Sequence, residues 1–169
     1  MRVSGESFVQ VRAFILLAIT AGALQAQRVD DASVSTAVPL VGQWRLNLAR
    51  THYGQGVDVR RREEFSCDVI RVRLHCVIQS IRRNGNKVVG QFSAALDGSP
   101  APVNGIPDVD AVQVTRPSAL LLDATFLFRG KPVFAYRAYR SSDGRSLMIV
   151  SMDPTSRAVL TTVVVYDRR

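Results

Sequence analysis

The chain has 169 residues, which suits one domain and leaves little room for two. Hydrophobic residues make up 47% and charged residues 21%, so the composition is globular and excludes disorder over most of the length. The chain is basic, with 22 Lys and Arg against 14 Asp and Glu, and only Lys87 and Lys131 are lysines. An arginine-rich surface favours acidic partners such as phospholipid head groups, polysaccharides or nucleic acid.

The N-terminal residues have the pattern of an export signal. Arg2 and Arg12 are followed by an uncharged, mostly apolar run over residues 13–24. This run is too short for a transmembrane helix, which needs about 20 residues. Small residues come next, and Ala26 offers a cleavage site. We therefore predict a signal peptide over residues 1–26, a secreted or periplasmic location, and no transmembrane segment after cleavage. An N-terminal membrane anchor or a buried helix is the alternative.

The mature chain is predicted to begin with a flexible leader over residues 27–40, which are mostly polar or small. Apolar and polar residues then alternate with period two almost to the C-terminus, which is typical of half-buried strands. In the first predicted strand, residues 43–48, Trp44 is expected to point inward. A strand with weaker alternation is predicted over residues 57–66.

A clear alternation surrounds the two cysteines. One predicted face holds Ile70, Val72, Leu74, Cys76 and Ile78, and the other holds Arg71, Arg73, His75 and Gln79. If the chain turns near Arg71 and Val72, Cys67 and Cys76 lie opposite each other, and such a pair usually forms a disulfide in an oxidising compartment. Free thiols are the alternative. A zinc site would lack ligands, because only His75 is nearby and no C-x-x-C motif is present.

Turn residues punctuate the rest of the chain. Asn84 and Gly85 predict a type I′ hairpin turn, since both residues tolerate positive φ. A strand over residues 88–96 is followed by a loop over residues 97–110, whose prolines and glycines are predicted to prevent any regular element. The remaining predicted strands cover residues 111–116, 119–129, 133–141, 146–152 and 158–168.

The number of short strands and tight turns determines the predicted fold. Short turns make neighbouring strands antiparallel, and a long meander removes its exposed edges by closing on itself. We predict an all-β domain over residues 41–169, folded as a single antiparallel up-and-down barrel of about eight to nine strands. A two-sheet sandwich is the alternative. The interior of such a small barrel is either filled by side chains or holds one small ligand.

Three segments carry a family resemblance. They are Gly42-Gln43-Trp44-Arg45-Leu46-Asn47, the stretch 96–110 that ends Gly105-Ile106-Pro107-Asp108-Val109-Asp110, and the final hairpin with Ser142-Asp143-Gly144-Arg145 and Val165-Tyr166-Asp167. The chain thereby resembles a group of small secreted bacterial proteins with a lipocalin-like β-barrel, which open with G-x-W-[KR]-L-N and share a G-x-P-D-x-D loop. This group is essentially uncharacterised, so the resemblance implies a fold and no catalytic residues. Leu96, Pro100 and the cysteine pair depart from the group's pattern.

Few residues suggest metal or catalytic chemistry. Asp97, Asp108 and Asp110 share one predicted loop with Asn104, and oxygen ligands of this kind can bind Ca²⁺. The same residue types also stabilise long turns through their own hydrogen bonds, and we favour that interpretation. We therefore predict no metal and no cofactor. The two histidines lie outside any recognisable triad or metal motif, so no enzyme is predicted.

Two groups of residues are candidate binding surfaces. Aromatic side chains on inward faces are predicted to line a cavity or to fill the core, namely Trp44, Phe92, Phe126, Phe128 and Tyr136. Arginines on adjacent strands are predicted to form a basic patch, namely Arg71, Arg73, Arg82 and Arg83. Glu63 and Glu64 are expected to neutralise part of that patch, and Asp123 is expected to face solvent.

These patterns favour a secreted or periplasmic lipocalin-like protein that binds an unidentified, mostly apolar small molecule. The alternative is an envelope protein that binds anionic surfaces through its arginine-rich face. Export argues against nucleic acid as a partner, as does the lack of an aromatic stacking platform among the arginines.

Overall fold

A computed structural model describes residues 38–54, 57 and 59–169. The predicted signal peptide and most of the predicted leader lie outside these residues. Ten antiparallel strands form one closed barrel, in which each strand pairs with the next and β10 pairs with β1. The strands are β1 (Gly42–Leu46), β2 (Arg60–Ile70), β3 (Arg73–Arg82), β4 (Lys87–Ala94), β5 (Asp97–Asn104), β6 (Ala111–Ser118), β7 (Leu121–Phe128), β8 (Lys131–Arg140), β9 (Ser146–Met152) and β10 (Val159–Arg168). This confirms the predicted up-and-down barrel.

One strand occupies a stretch where the sequence predicted an irregular loop. β5 contains Pro100 and Pro102, which cannot donate a ladder hydrogen bond. Both prolines pair in register with β6, whereas β5 meets β4 only at Val103 and Asn104. The prolines therefore lie where β5 has no partner in β4, so few ladder bonds are lost. The prediction was wrong for this half of the loop, and β5 brings the count to ten strands instead of eight or nine.

The turn between β2 and β3 is made by Arg71 and Val72, which have φ values of 48° and 59°. It places Cys67 directly opposite Cys76, and the two form a disulfide with Cα atoms 4.2 Å apart. The predicted disulfide is confirmed. Because the chain reverses here, Ile70 and Val72 are exposed at 53% and 63%, so their predicted inward direction was wrong.

The turn between β3 and β4 lies where Asn84 and Gly85 predicted it, but its type differs. Only Gly85 has a positive φ, at 88°, and its N–H donates to the carbonyl of Arg82 at 3.0 Å. A type I′ turn needs positive φ at both central residues, so that part of the prediction was wrong. The turn still joins β3 to an antiparallel β4, as the sequence predicted.

One half of the barrel interior, here called the packed half, is filled around Trp44. Its inward side chains are fully buried and include Leu74, Leu122, Ala138 and Leu147. Val38 and Leu40 enter this half from the N-terminal side and are also buried, and the Leu40 carbonyl accepts a hydrogen bond from Trp44 Nε1 at 2.9 Å. Residues 38–40 therefore belong to the core, and the folded domain begins earlier than the leader prediction placed it.

Beyond the strands, a short 3₁₀ helix spans Leu48–Arg50 after β1. Within the described residues, no helix reaches the length and apolar character that crossing a membrane requires.

Candidate functional site

The other half of the barrel, here called the open half, encloses a cavity of about 790 Å³. This volume lies within the range of about 300 to 1,000 Å³ that is usual for small-molecule sites. Alternation along the strands makes its walls, since every second residue of a strand points to the same side. On β3, for example, Cys76, Ile78 and Ser80 line the cavity, whereas the intervening Val77 is 40% exposed on the outside.

An aromatic cluster forms one wall of the cavity. Phe126 on β7 stacks on Phe134 of β8 with ring centroids 4.3 Å apart. Tyr136 and Phe92 contact the same ring at centroid distances of 5.7 Å and 6.2 Å. All four side chains line the cavity. Their register explains the cluster, because Phe126 pairs with Phe134 and Ala124 pairs with Tyr136 across β7 and β8.

The structure places three of the five predicted lining residues in the cavity wall, namely Phe92, Phe126 and Tyr136. Trp44 points inward as expected but is fully buried in the packed half and does not line the cavity. Phe128 is not part of the wall, because a register shift follows Phe126 and the Arg129 guanidinium lies 5.0 Å from the centroid of the Phe128 ring. The alternation on which Phe128 was predicted therefore does not continue to the end of β7.

A polar cluster of Arg60, Glu63 and Tyr166 lies in the wall of the cavity. The Tyr166 hydroxyl donates to Glu63 Oε1 at 2.5 Å, and Arg60 Nη1 donates to the same oxygen at 2.9 Å. Arg60 Nη1 also lies 3.1 Å from the Tyr166 hydroxyl oxygen. Glu63 and Tyr166 are only 6% and 1% exposed. A buried carboxylate thus has a cation and a hydroxyl donor as direct partners, which compensates its desolvation.

Burial and the Glu63 charge determine how the neighbouring groups titrate. Burial raises the pKa of Tyr166 well above its ordinary value, and the negative charge of Glu63 raises it further. The pKa of Tyr136 is raised for the same two reasons, in the same order. Burial alone would lower the pKa of Arg60, but Glu63 and the tyrosines outweigh it and the pKa is raised. At neutral pH both phenols are therefore neutral and Arg60 is charged.

The sequence analysis missed this cluster. Glu63 was expected to lie beside the surface arginines, yet it lines the cavity together with Phe65, two residues further along β2. That spacing was the available signal, because Glu63 shares the inward parity of Phe65 and Cys67. Tyr166 is separated from Glu63 by 103 positions, so nothing local in the sequence joins them.

Large apolar side chains are exposed around the mouth of the cavity. The exposed fractions are 42% for Val57, 43% for Val133, 39% for Phe134, 69% for Val159 and 47% for Leu160. All five also line the cavity, so its apolar surface continues outward to solvent. A continuous exposed apolar patch of this kind is typical of a binding site.

Asp123 is buried on the outside of the barrel, although the sequence predicted that it faces solvent. Its predicted outward direction is right, but Arg137 covers it with two hydrogen bonds of 2.7 Å and 2.8 Å. Arg157 from the β9–β10 loop adds an ion pair at 3.1 Å and also donates to Thr125 at 2.8 Å. Burial raises the pKa of Asp123, but Arg137 and then Arg157 outweigh it and leave the pKa below its ordinary value.

The four arginines of the predicted basic patch do not come together. Arg71 and Arg73 lie at the end of β3 beside the packed half, and Arg82 and Arg83 lie at its other end beside the cavity mouth. Arg73 and Arg82 are nine positions apart along the strand, which corresponds to about 30 Å. The expectation of one continuous patch was therefore wrong.

Two of the predicted loop aspartates accept hydrogen bonds in turns, Asp97 within its own turn and Asp110 from the turn that follows β7. Asp97 Oδ1 accepts from the backbone N–H and the hydroxyl of Ser99 at 2.9 Å and 2.6 Å. Asp110 Oδ2 accepts from the backbone N–H of Arg129 at 2.6 Å. Among the residues that the structure describes, no three His, Cys, Asp or Glu side chains are grouped as metal ligands would be.

Comparison with protein-family models, with curated proteins and with solved structures yields no match for this chain. The functional assignment therefore depends on the geometry of the cavity and its polar cluster.

Proposed function

We propose that this protein binds one small, mostly apolar molecule in the open half of the barrel, and that it does so outside the cytoplasm. The observation that carries the proposal is the cavity of about 790 Å³ with an aromatic wall. Unfilled space in a protein core forfeits packing contacts and lowers stability. A bound molecule would restore those contacts, and the exposed apolar rim offers it a path from the outside.

Binding fits the residues of the cavity better than catalysis does. Glu63 is held by Arg60 and Tyr166, and no histidine is among the described residues that line the cavity. A general acid or base needs a reactive proton position facing the substrate. The described lining is instead largely apolar and carries a few polar groups, among them the cluster of Arg60, Glu63 and Tyr166, which is the usual composition of a binding pocket.

Export is the second part of the proposal. The disulfide between Cys67 and Cys76 is of a kind that persists in oxidising compartments, which supports secretion or a periplasmic location. The predicted signal peptide over residues 1–26 supplies the route. Intact-mass measurement of the protein recovered from the periplasm or medium should show cleavage after Ala26. A full-length chain retained in the cytoplasm would contradict this part of the proposal.

Binding is tested by placing the same large side chain on either side of one strand. Ile78→Trp puts an indole into the cavity, and Val77→Trp puts one on the outer face next to it. With Nile red as an uncharged probe, we expect saturable one-to-one binding to the wild type and to Val77→Trp. We expect at least a tenfold loss for Ile78→Trp. Absence of saturable binding, or equal affinity in the two variants, would contradict the proposal.

A further inference from the structure

The described side chains that line the cavity carry no net charge. Their charged members are two arginines and two carboxylates, namely Arg60, Arg82, Glu63 and Asp108. Arg60 and Glu63 belong to the polar cluster and are in direct contact at 2.9 Å. Arg82 and Asp108 belong to the strand end and the loop at the mouth. This balance bears on what kind of molecule the cavity accepts.

Arg60 is the member of the polar cluster with the most accessible surface. Its side chain lines the cavity, and 38% of its surface is accessible. Its guanidinium has five N–H donors and no acceptor. Glu63 has only 7% of its side chain accessible, and its Oε1 already accepts two hydrogen bonds. A bound molecule therefore meets a hydrogen-bond donor first, with a carboxylate directly behind it.

We infer that the cavity selects an uncharged amphiphile, an inference which rests on the proposed function. A hydroxyl or carbonyl oxygen of this molecule accepts a hydrogen bond from Arg60, and its apolar part lies against the aromatic wall. A neutral oxygen gains this bond without adding charge to an enclosed site. Phe126 and Phe134 provide the apolar contact in that wall.

Charged head groups are disfavoured for opposite reasons. A ligand carboxylate bound to Arg60 would have to share the guanidinium with Glu63. Two carboxylates in a poorly solvated site repel each other. An ammonium group would approach Arg60 before it reached the shielded Glu63. Either ion would also lose its hydration on entering the cavity.

Three ligands with the same chain and different head groups test the inference. Decan-1-ol, decanoate and decylammonium are titrated against the Nile red complex at pH 7.5. We expect decan-1-ol to bind the wild type at least tenfold more tightly than either ion. Decanoate or decylammonium binding as tightly as the alcohol would overturn the inference and leave the proposed function standing. If neither Nile red nor any of the three ligands bound, the proposed function itself would fail.

Charge variants give an independent test with a matched control. Glu63→Gln leaves Arg60 uncompensated, so decanoate affinity should rise at least tenfold while decan-1-ol affinity changes less than threefold. Glu64→Gln makes the same charge change next to it on the outer surface, where Glu64 pairs with Arg45, and should change neither affinity. Unchanged decanoate binding in a folded Glu63→Gln protein would overturn the inference.

A second variant keeps the test decisive if Glu63→Gln does not fold. Arg60→Gln leaves Glu63 without its cation. We expect it to bind decylammonium at least tenfold more tightly than the wild type does and to lose affinity for decan-1-ol. Retained selectivity for the alcohol in this variant would overturn the assignment of Arg60 as the donor.

Discussion

The packed half and the open half of this barrel are built from the same strands with the same alternation, yet only one of them is solid. In the packed half, Trp44 and the N-terminal residues 38–40 fill the interior. In the open half, several inward positions are occupied by the small residues Ser80, Ser151 and Thr162, and a cavity remains although Leu40 of the N-terminal segment reaches its wall. Inward alternation therefore specifies a wall, whereas filling of the interior depends on side-chain size.

Removing one large side chain from each half should give the largest difference in the free energy of unfolding between the two halves. Trp44→Ala should lower the free energy of unfolding by about 4 kcal/mol, because the indole is fully buried in a well-packed core. Phe134→Ala, at 39% exposure on the cavity wall, should cost about 1 kcal/mol or less. Urea unfolding of both variants measures the contrast. Equal losses would mean that the two halves are packed alike.

The disulfide provides the next largest effect, at the boundary between the two halves. Replacing both Cys67 and Cys76 by Ala opens a ring of about ten residues, which should lower the free energy of unfolding by about 2 to 3 kcal/mol. Both cysteines line the cavity, so Nile red binding should weaken as well. A variant as stable as the wild type would show that the bridge does not stabilise the β2–β3 wall.

Asp123 ties the β9–β10 loop to the outside of the open half, and this contribution should depend on pH. Because its folded-state pKa is depressed, the stabilisation is present above the unfolded-state pKa, about 4, and is lost as pH falls through the folded-state value. Asp123→Asn should therefore lower the free energy of unfolding by about 2 kcal/mol at pH 7, and this deficit should shrink as pH falls below 4. A deficit that does not change with pH would contradict a role for the Asp123 charge.

The smallest predicted effect concerns the turn next to the packed half. Arg71 and Val72 both have positive φ, which is costly for a β-branched residue. Replacing them with Asn and Gly should raise the free energy of unfolding by about 1 kcal/mol. Gly85→Ala, at φ 88° beside the cavity mouth, should lower it by a similar amount. Chemical unfolding of both variants tests the pair, and a destabilised Asn-Gly variant would contradict the turn assignment.

Much of the barrel could be predicted because strand alternation and turn residues are local features of the sequence. Cys67 and Cys76 were placed opposite each other by such a turn, and Phe92, Phe126 and Tyr136 were placed inward by alternation. Local patterns gave wrong predictions where pairing with neighbouring strands determines the structure. β5 accepts its prolines because it barely pairs with β4, and a bulge redirects Phe128.

The polar cluster of the cavity was unpredictable for a different reason. Arg60 and Glu63 come from β2 and Tyr166 comes from β10, so they meet only because the barrel closes through β1. Asp123 is a similar case, since Arg157 reaches it from a loop that is distant in sequence. Burial of a charged residue depends on such long-range partners, which a single sequence does not display.

A crystal structure of the protein grown with decan-1-ol would show whether the cavity binds an uncharged amphiphile. We predict one ligand in the open half, with its oxygen within hydrogen-bond distance of the Arg60 guanidinium and its chain along Phe126 and Phe134 towards the mouth. Electron density for the ligand only on the outer surface, or an interior filled by side chains in both halves, would contradict it.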